Sequence, residues 1–234
     1  MNHFFIDPTF IDGEVVRFPQ DISHQICRVL RLKINDLVMV LDNQGNQFEV
    51  QMLEVNPQNC VGSVRKKSLA ETEPQVELHL FIALTQREKF EWILQKCCEV
   101  GVGKITPVLT ERSIVAANLE FSKKRERWER ILKEAAEQSN RGRIPPLCEP
   151  LSFQQVVRNE DSHKLIAWEN EKIQKVDVVL SNLKEPRISL LVGPEGGFAE
   201  TEIKLALQNQ WQPISLGKRI LRMETASIVA CTLI

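Results

Sequence analysis

The sequence predicts an α/β fold, a mostly parallel sheet covered by helices, preceded by a smaller β-rich domain. Three observations predict it. From Val76 onward, short apolar runs alternate with segments of helical spacing. Before Ser68, strand-like runs follow one another with only turn clusters between them. Two Gly-rich turns, Gly193 to Gly197 and the one at Gly217, each follow an apolar run and precede a helical segment. That is where open α/β sheets bind ligands.

The N-terminal elements come first. Ser23 to Leu32 reads as a short helix with Ile26, Val29 and Leu30 on one face and Arg28 and Arg31 elsewhere. Val38 to Leu41 is an apolar strand, Asp42 to Asn46 a turn, and Phe48 to Val55 an alternating, half-buried strand. Cys60 to Val64 is a third strand after the Asn56-Pro57 turn. Strands this close together suggest a small barrel. Ser68 to Gln75 is polar and aperiodic, and marks the domain boundary.

The second domain alternates. Glu77 to Leu84 is a strand. Phe90, Ile93, Leu94 and Cys97 form a helical stripe that stops at Gly101. Lys104 to Leu109 is a strand, and Ser122 to Ser139 a long helix with Ser122 as N-cap and Trp128, Ile131, Leu132 and Ala135 inward. Phe153 to Val157 is a short helix. Lys164 to Trp168, Ile188 to Val192 and Pro213 to Leu216 are strands, with helices opening near Thr201 and at Glu224.

Composition narrows the function. The chain has 234 residues, 26% of them charged, with a net charge of −1. Charge is uneven: Phe121 to Pro145 holds eight Lys/Arg against four Glu, and Arg65-Lys66-Lys67 and Lys218-Arg219 with Arg222 are smaller basic clusters. These are solvated faces or the footprint of a polyanion. No apolar run is long enough to span a membrane, and MNHFFIDPTF has no signal-peptide pattern. A soluble, cytoplasmic protein is expected. The apolar end at Ile234 suggests a shortened C-terminus. The six cysteines form no C-x-x-C pair and no His stands at zinc spacing, so free thiols and no metal are expected.

Gly193-Pro194-Glu195-Gly196-Gly197 is neither a P-loop nor G-x-G-x-x-G. Glycines there let backbone groups approach a ligand closely, and main-chain hydrogen bonds could hold a purine. Arg219 and Arg222, three residues apart, would share a helical face beside the pocket and suit an anionic group. Lys96 and Glu99 read as a surface i,i+3 ion pair.

The motifs LLVGPEGGF (Leu190 to Phe198) and LGKRILRMETA (Leu216 to Ala226) carry a resemblance. With them, in order, stand RVLRL (Arg28 to Leu32), WILQKCCEVGV (Trp92 to Val102) and EAAEQSNRGRIP (Glu134 to Pro145). Over nearly its whole length the sequence resembles the RsmE family, ribosomal RNA uridine-N3 methyltransferases of the SPOUT class. The resemblance implies a PUA-like RNA-binding β-barrel over residues 1–70. It implies a SPOUT domain over residues 74–234, with a C-terminal trefoil knot that departs from the usual unknotted rule. It further implies S-adenosylmethionine as cofactor, a homodimer, and a uridine of 16S rRNA in the small subunit as substrate. Ala199 stands where the family often has a capping Ser; Glu202 is expected to favour the helix start instead.

On this resemblance the cofactor would meet Leu191, Val192, Gly193, Glu195, Gly196 and Gly197 in the first turn. In the second it would meet Leu216, Gly217, Ile220, Leu221 and Arg222. Uracil N3 becomes nucleophilic only on losing its proton, which spreads charge onto the flanking carbonyl oxygens. Arg219 and Arg222 are the candidates to stabilise that charge. Glu195 is a candidate base. Glu224 is either a second one or a carboxylate serving the helix N-terminus. Arg28, Arg31, Arg141 and Arg143 are the candidate RNA contacts. Two other readings compete: a SPOUT enzyme acting on another RNA, such as a tRNA ribose, and a non-catalytic RNA-binding assembly factor.

Overall fold

The computed structural model describes residues 1–113, 121–158, 163–181 and 187–234. The chain divides into two units: Met1–Glu73 with Ala136–Ile144, and Pro74–Ala135 with Pro145–Ile234.

The first unit holds strands β1 (Asn2–Phe5), β2 (Ile11–Asp12), β3 (Val15–Arg17), β4 (Leu37–Leu41), β5 (Asn46–Glu54) and β6 (Val61–Leu69), with helix α1 (Gln20–His24) between β3 and β4. They form one sheet in the order β1-β4-β5-β6-β3-β2, antiparallel except for the β1–β4 pair. Alternation drives it: Val38 and Val40, then Phe48, Val50 and Met52, point into one core with Phe4, Val16 and Ile26. Register shifts at Glu49/Val50 and Met52/Glu54 curl the longest pair.

Three expectations need adjusting here. The strands before Phe18 are two to four residues long, too short to show a period. β6 runs on to Leu69 through Arg65-Lys66-Lys67, because β5 supplies partners such as Glu49 opposite Lys66. The helix expected over Ser23 to Leu32 is instead α1 followed by a π-helical stretch, Gln25–Val29, closed by Leu30 N–H on Gln25 C=O at 2.9 Å. The wider winding turns Val29 outward to 66% exposure, so it does not join Ile26 in the core.

Ala136–Ile144, which the expected boundary assigns to the second domain, packs in the first unit. Arg141 is 3% exposed and donates to Glu73 Oε2 at 2.8 Å. Ile144 N–H donates to Asn43 Oδ1 (2.7 Å) and Arg143 Nη2 to Gln44 C=O (3.1 Å).

The second unit is a parallel sheet. In chain order its elements are β7 (Glu77–Ala83), α2 (Arg87–Glu99), β8 (Lys104–Leu109), α3 (Phe121–Gln138, whose last turn from Ala136 belongs to the first unit), β9 (Leu151–Ser152), α4 (Phe153–Val157), β10 (His163–Ala167), α5 (Val176–Ser181), β11 (Arg187–Val192), α6 (Glu200–Gln208), β12 (Gln212–Ile214) and α7 (Met223–Leu233). The strand order is β12-β10-β11-β7-β8-β9, every pair parallel. One face packs Phe81, Phe153, Ile166, Leu191, Ile203 and Trp211. α2 and α7 pack on each other. α2 ends before Gly101, whose φ of 102° needs a glycine. α3 begins at Phe121, so Ser122 falls within it rather than before it; the Ser122 side chain, expected as N-cap, lies outside the described residues.

α6 starts without a side-chain cap from Ala199. Glu202 supplies the reciprocal half: Oε2 accepts Ala199 N–H and Oε1 accepts Glu111 N–H, both at 2.9 Å. Ala199→Ser completes the capping box and is expected to raise stability by about 0.5–1 kcal/mol. Glu202→Ala, which strands two amide donors at a site only 7% exposed, is expected to lower it by about 2 kcal/mol. Urea titration of both variants checks the opposite signs.

Candidate active site

β12, β10 and β11 end side by side, and their C-terminal ends open into a cavity of about 620 Å³, which Lys89 of α2 also lines. This size suits a small-molecule ligand. The first wall is the turn after β11. Five buried residues, Ile188 to Val192, bring the chain out between β10 and β7. Gly193 then lies against the Phe198 ring, which a Cβ would meet at 2.9 Å. Gly197 has φ 67° and donates its N–H to Pro194 C=O at 2.9 Å, which tightens the turn before α6. Arg112, after β8, braces it from outside by donating to Gly196 C=O at 3.0 Å.

The second wall follows β12. Ser215 N–H donates to Gln174 C=O at 2.7 Å, and Ser215 Oγ accepts Gly217 N–H at 3.4 Å. Gly217 has φ 114°, and a Cβ there would touch nothing within 4 Å. Backbone, not side chain, thus faces open space at that point. The chain reaches α7 through Arg222, an extended N-cap whose carbonyl accepts Ala226 N–H at 2.8 Å.

Val192, Gly193, Glu195, Gly196 and Gly197 line the cavity from the first turn, and Leu216, Gly217, Arg219, Ile220, Leu221 and Arg222 from the second. Leu191 does not: it is fully buried in the sheet core, because side chains alternate along β11. Arg219 and Arg222 both reach the cavity, though not by sharing a helical face. α7 begins at Met223, so both lie on extended or bent chain. Both are exposed and without an ion-pair partner among the described residues. Glu224 lies in the first turn of α7 and also lines the cavity.

Glu195 is tied down. Its Oε1 accepts from Thr85 Oγ1 and from Lys89 Nζ (3.1 Å), while Oε2 is buried with no hydrogen-bond partner among the described residues. Burial alone would raise its pKa; the hydrogen bonds from Thr85, its own backbone N–H and Lys89, with the Lys89 charge, outweigh it and hold the carboxyl below its usual range. The group is ionised at neutral pH, and the stability it lends is lost as pH falls through that lowered pKa.

Of the candidate RNA contacts, Arg28 and Arg31 are exposed, and Arg31 adopts φ 54° where the π-helical stretch ends. Arg143 is exposed as well. Arg141 is not available: burial and its pair with Glu73 fix the guanidinium inside the first unit. Lys96 and Glu99 pair at 2.8 Å. Thr85, Lys89, Arg112, Trp168, Glu169 and Lys172 belong to the site and were not singled out from sequence. Their signal is positional, since each follows the end of a strand that the sequence does show. Among the described residues no three His, Cys, Asp or Glu side chains could hold a metal ion, and no helix is long and apolar enough to cross a membrane.

The RNA methyltransferase domain family matches residues 71–234. A ribosomal RNA small subunit methyltransferase E from Synechocystis is 37% identical over 88% of this chain and 68% of its own length. One from Bacillus subtilis is 33% identical over 97% of this chain and 90% of its own. The crystal structure of a ribosomal RNA small subunit methyltransferase E from Neisseria gonorrhoeae, bound to S-adenosyl methionine, superposes with a TM-score of 0.88 at 28% identity, covering 99% of this chain and 95% of that one. Its likeness extends through both units described above. The chain belongs to the ribosomal RNA small subunit methyltransferase E family.

Proposed function

We propose that the protein transfers a methyl group from S-adenosylmethionine to N3 of a uridine in 16S rRNA. One observation carries the reading: two arginines with no ion-pair partner among the described residues stand on a cavity walled by two glycine turns, with apolar side chains between its charged groups. The residues fit that cofactor. Gly217 offers open backbone, and Val192, Ile214, Leu216 and Leu221 offer apolar surface for a purine. The cofactor, when bound, supplies an electrophilic methyl sulfonium.

The chain's own residues do the rest. Arg219 and Arg222 pair with the uracil carbonyl oxygens, lower the cost of passing the N3 proton to solvent at the open cavity, and hold the base in line. Glu195 is a weak base in its ionised, low-pKa state; it ties the first turn to Thr85 and the start of α2. Arg28, Arg31 and Arg143 contact RNA phosphate. We extend the proposal to what the family resemblance implies: a trefoil knot around the second turn, a PUA-like barrel over residues 1–70, a SPOUT domain over residues 74–234, a cytoplasmic homodimer, and action within the small subunit. The test is nucleoside analysis of small-subunit rRNA from cells lacking the protein. Loss of N3-methyluridine supports the reading, and its persistence contradicts the substrate.

A further inference from the structure

Glu169 is a charged group of the cavity with no role in that mechanism. It follows β10, the strand between β11 and β12, and so stands between the two turns. Its carboxylate is exposed and makes no hydrogen bond or ion pair among the described residues. The nearby Lys172 ammonium instead donates to the Glu169 backbone carbonyl. Gly197 makes room for it, since a Cβ there would come 2.5 Å from Glu169 Oε1. Of the other acids of the cavity, Glu195 is engaged by Thr85 and Lys89, and Glu224 stands in the first turn of α7, beyond the second turn rather than between the two.

An ionised carboxylate only accepts, and its two coplanar oxygens suit two adjacent donors. Vicinal hydroxyls present such a pair. A carboxylate at a strand end performs this service for ribose in other open α/β sheets. We propose that Glu169 accepts hydrogen bonds from the 2′- and 3′-hydroxyls of the cofactor ribose and so fixes the nucleoside between the two turns. This rests on the S-adenosylmethionine reading of the cavity.

Calorimetry with 5′-methylthioadenosine tests it, because that ligand keeps the diol and lacks the amino acid; its 2′-deoxy and 3′-deoxy forms and S-adenosylhomocysteine complete the set. The wild-type protein should bind methylthioadenosine about 10- to 100-fold more tightly than the deoxy forms. Glu169→Ala should weaken methylthioadenosine by a similar factor and no longer distinguish the deoxy forms, with Glu169→Gln between. Because the side chain is exposed, the melting temperature should not move, which separates lost binding from lost folding. Retained discrimination in Glu169→Ala overturns the proposal. So does a loss confined to S-adenosylhomocysteine, which would assign Glu169 to the cofactor's ammonium. If the wild-type protein binds neither methylthioadenosine nor S-adenosylhomocysteine, the cofactor reading itself fails.

Discussion

Arg222→Ala should lower kcat by about 10²- to 10³-fold while leaving calorimetric affinity for S-adenosylhomocysteine near normal. The split follows from the position of Arg222. Its backbone carbonyl starts α7 by accepting Ala226 N–H, and alanine keeps that bond. What is lost is an exposed guanidinium at the cavity. In the proposed mechanism its value appears only when charge develops on the uracil oxygens, so the loss falls on turnover rather than binding. Arg222→Lys should recover part of the rate, since a point charge replaces a planar fork. Unchanged turnover in Arg222→Ala would remove this residue from the mechanism.

Glu73→Ala should destabilise the first unit by about 3–5 kcal/mol. Arg141 is 3% exposed, and Glu73 both receives its guanidinium at 2.8 Å and accepts Arg143 N–H at 3.1 Å. Removing the carboxylate takes away the acceptor that the buried guanidinium holds at 2.8 Å. Arg141→Met, which deletes the same pair but fills the space with an apolar chain, should cost much less. Urea unfolding followed by a probe in the first unit separates the two. Equal, small losses in both variants would show that the pair does not hold residues 136–144 in place.

The elements legible in the sequence were those with a long period or a sharp stop. β5 alternates, the stripe of α2 ends at Gly101, and the buried run of β11 breaks at Gly193; the structure has each within a few residues. The π-helical stretch at Gln25–Val29 was not legible, because the arc of Ile26, Val29 and Leu30 fits ordinary helical winding and only tertiary packing selects the wider one. Residues 136–144 read as a helix end with a basic tail. Only the fold shows that Glu73 draws Arg141 inward. At the site, the glycine turns and the two arginines could be read locally. Leu191 was misplaced by its neighbours, since one step along a strand reverses the face. Glu169 and Lys89 follow other strand ends, and sheet order, not local sequence, brings them to the cavity, with Thr85 beside them on Glu195.

Methyl transfer to a uridine of the small subunit leaves a covalent mark on the RNA. Its most direct test is incubation of the protein and labelled S-adenosylmethionine with small ribosomal subunits from cells lacking the protein, followed by nucleoside analysis of the recovered rRNA. Methyl transfer by this protein should place label in N3-methyluridine at one position of 16S rRNA, absent with Arg222→Ala. Label in a ribose 2′-O-methyl nucleoside, or no label despite bound cofactor, would contradict it.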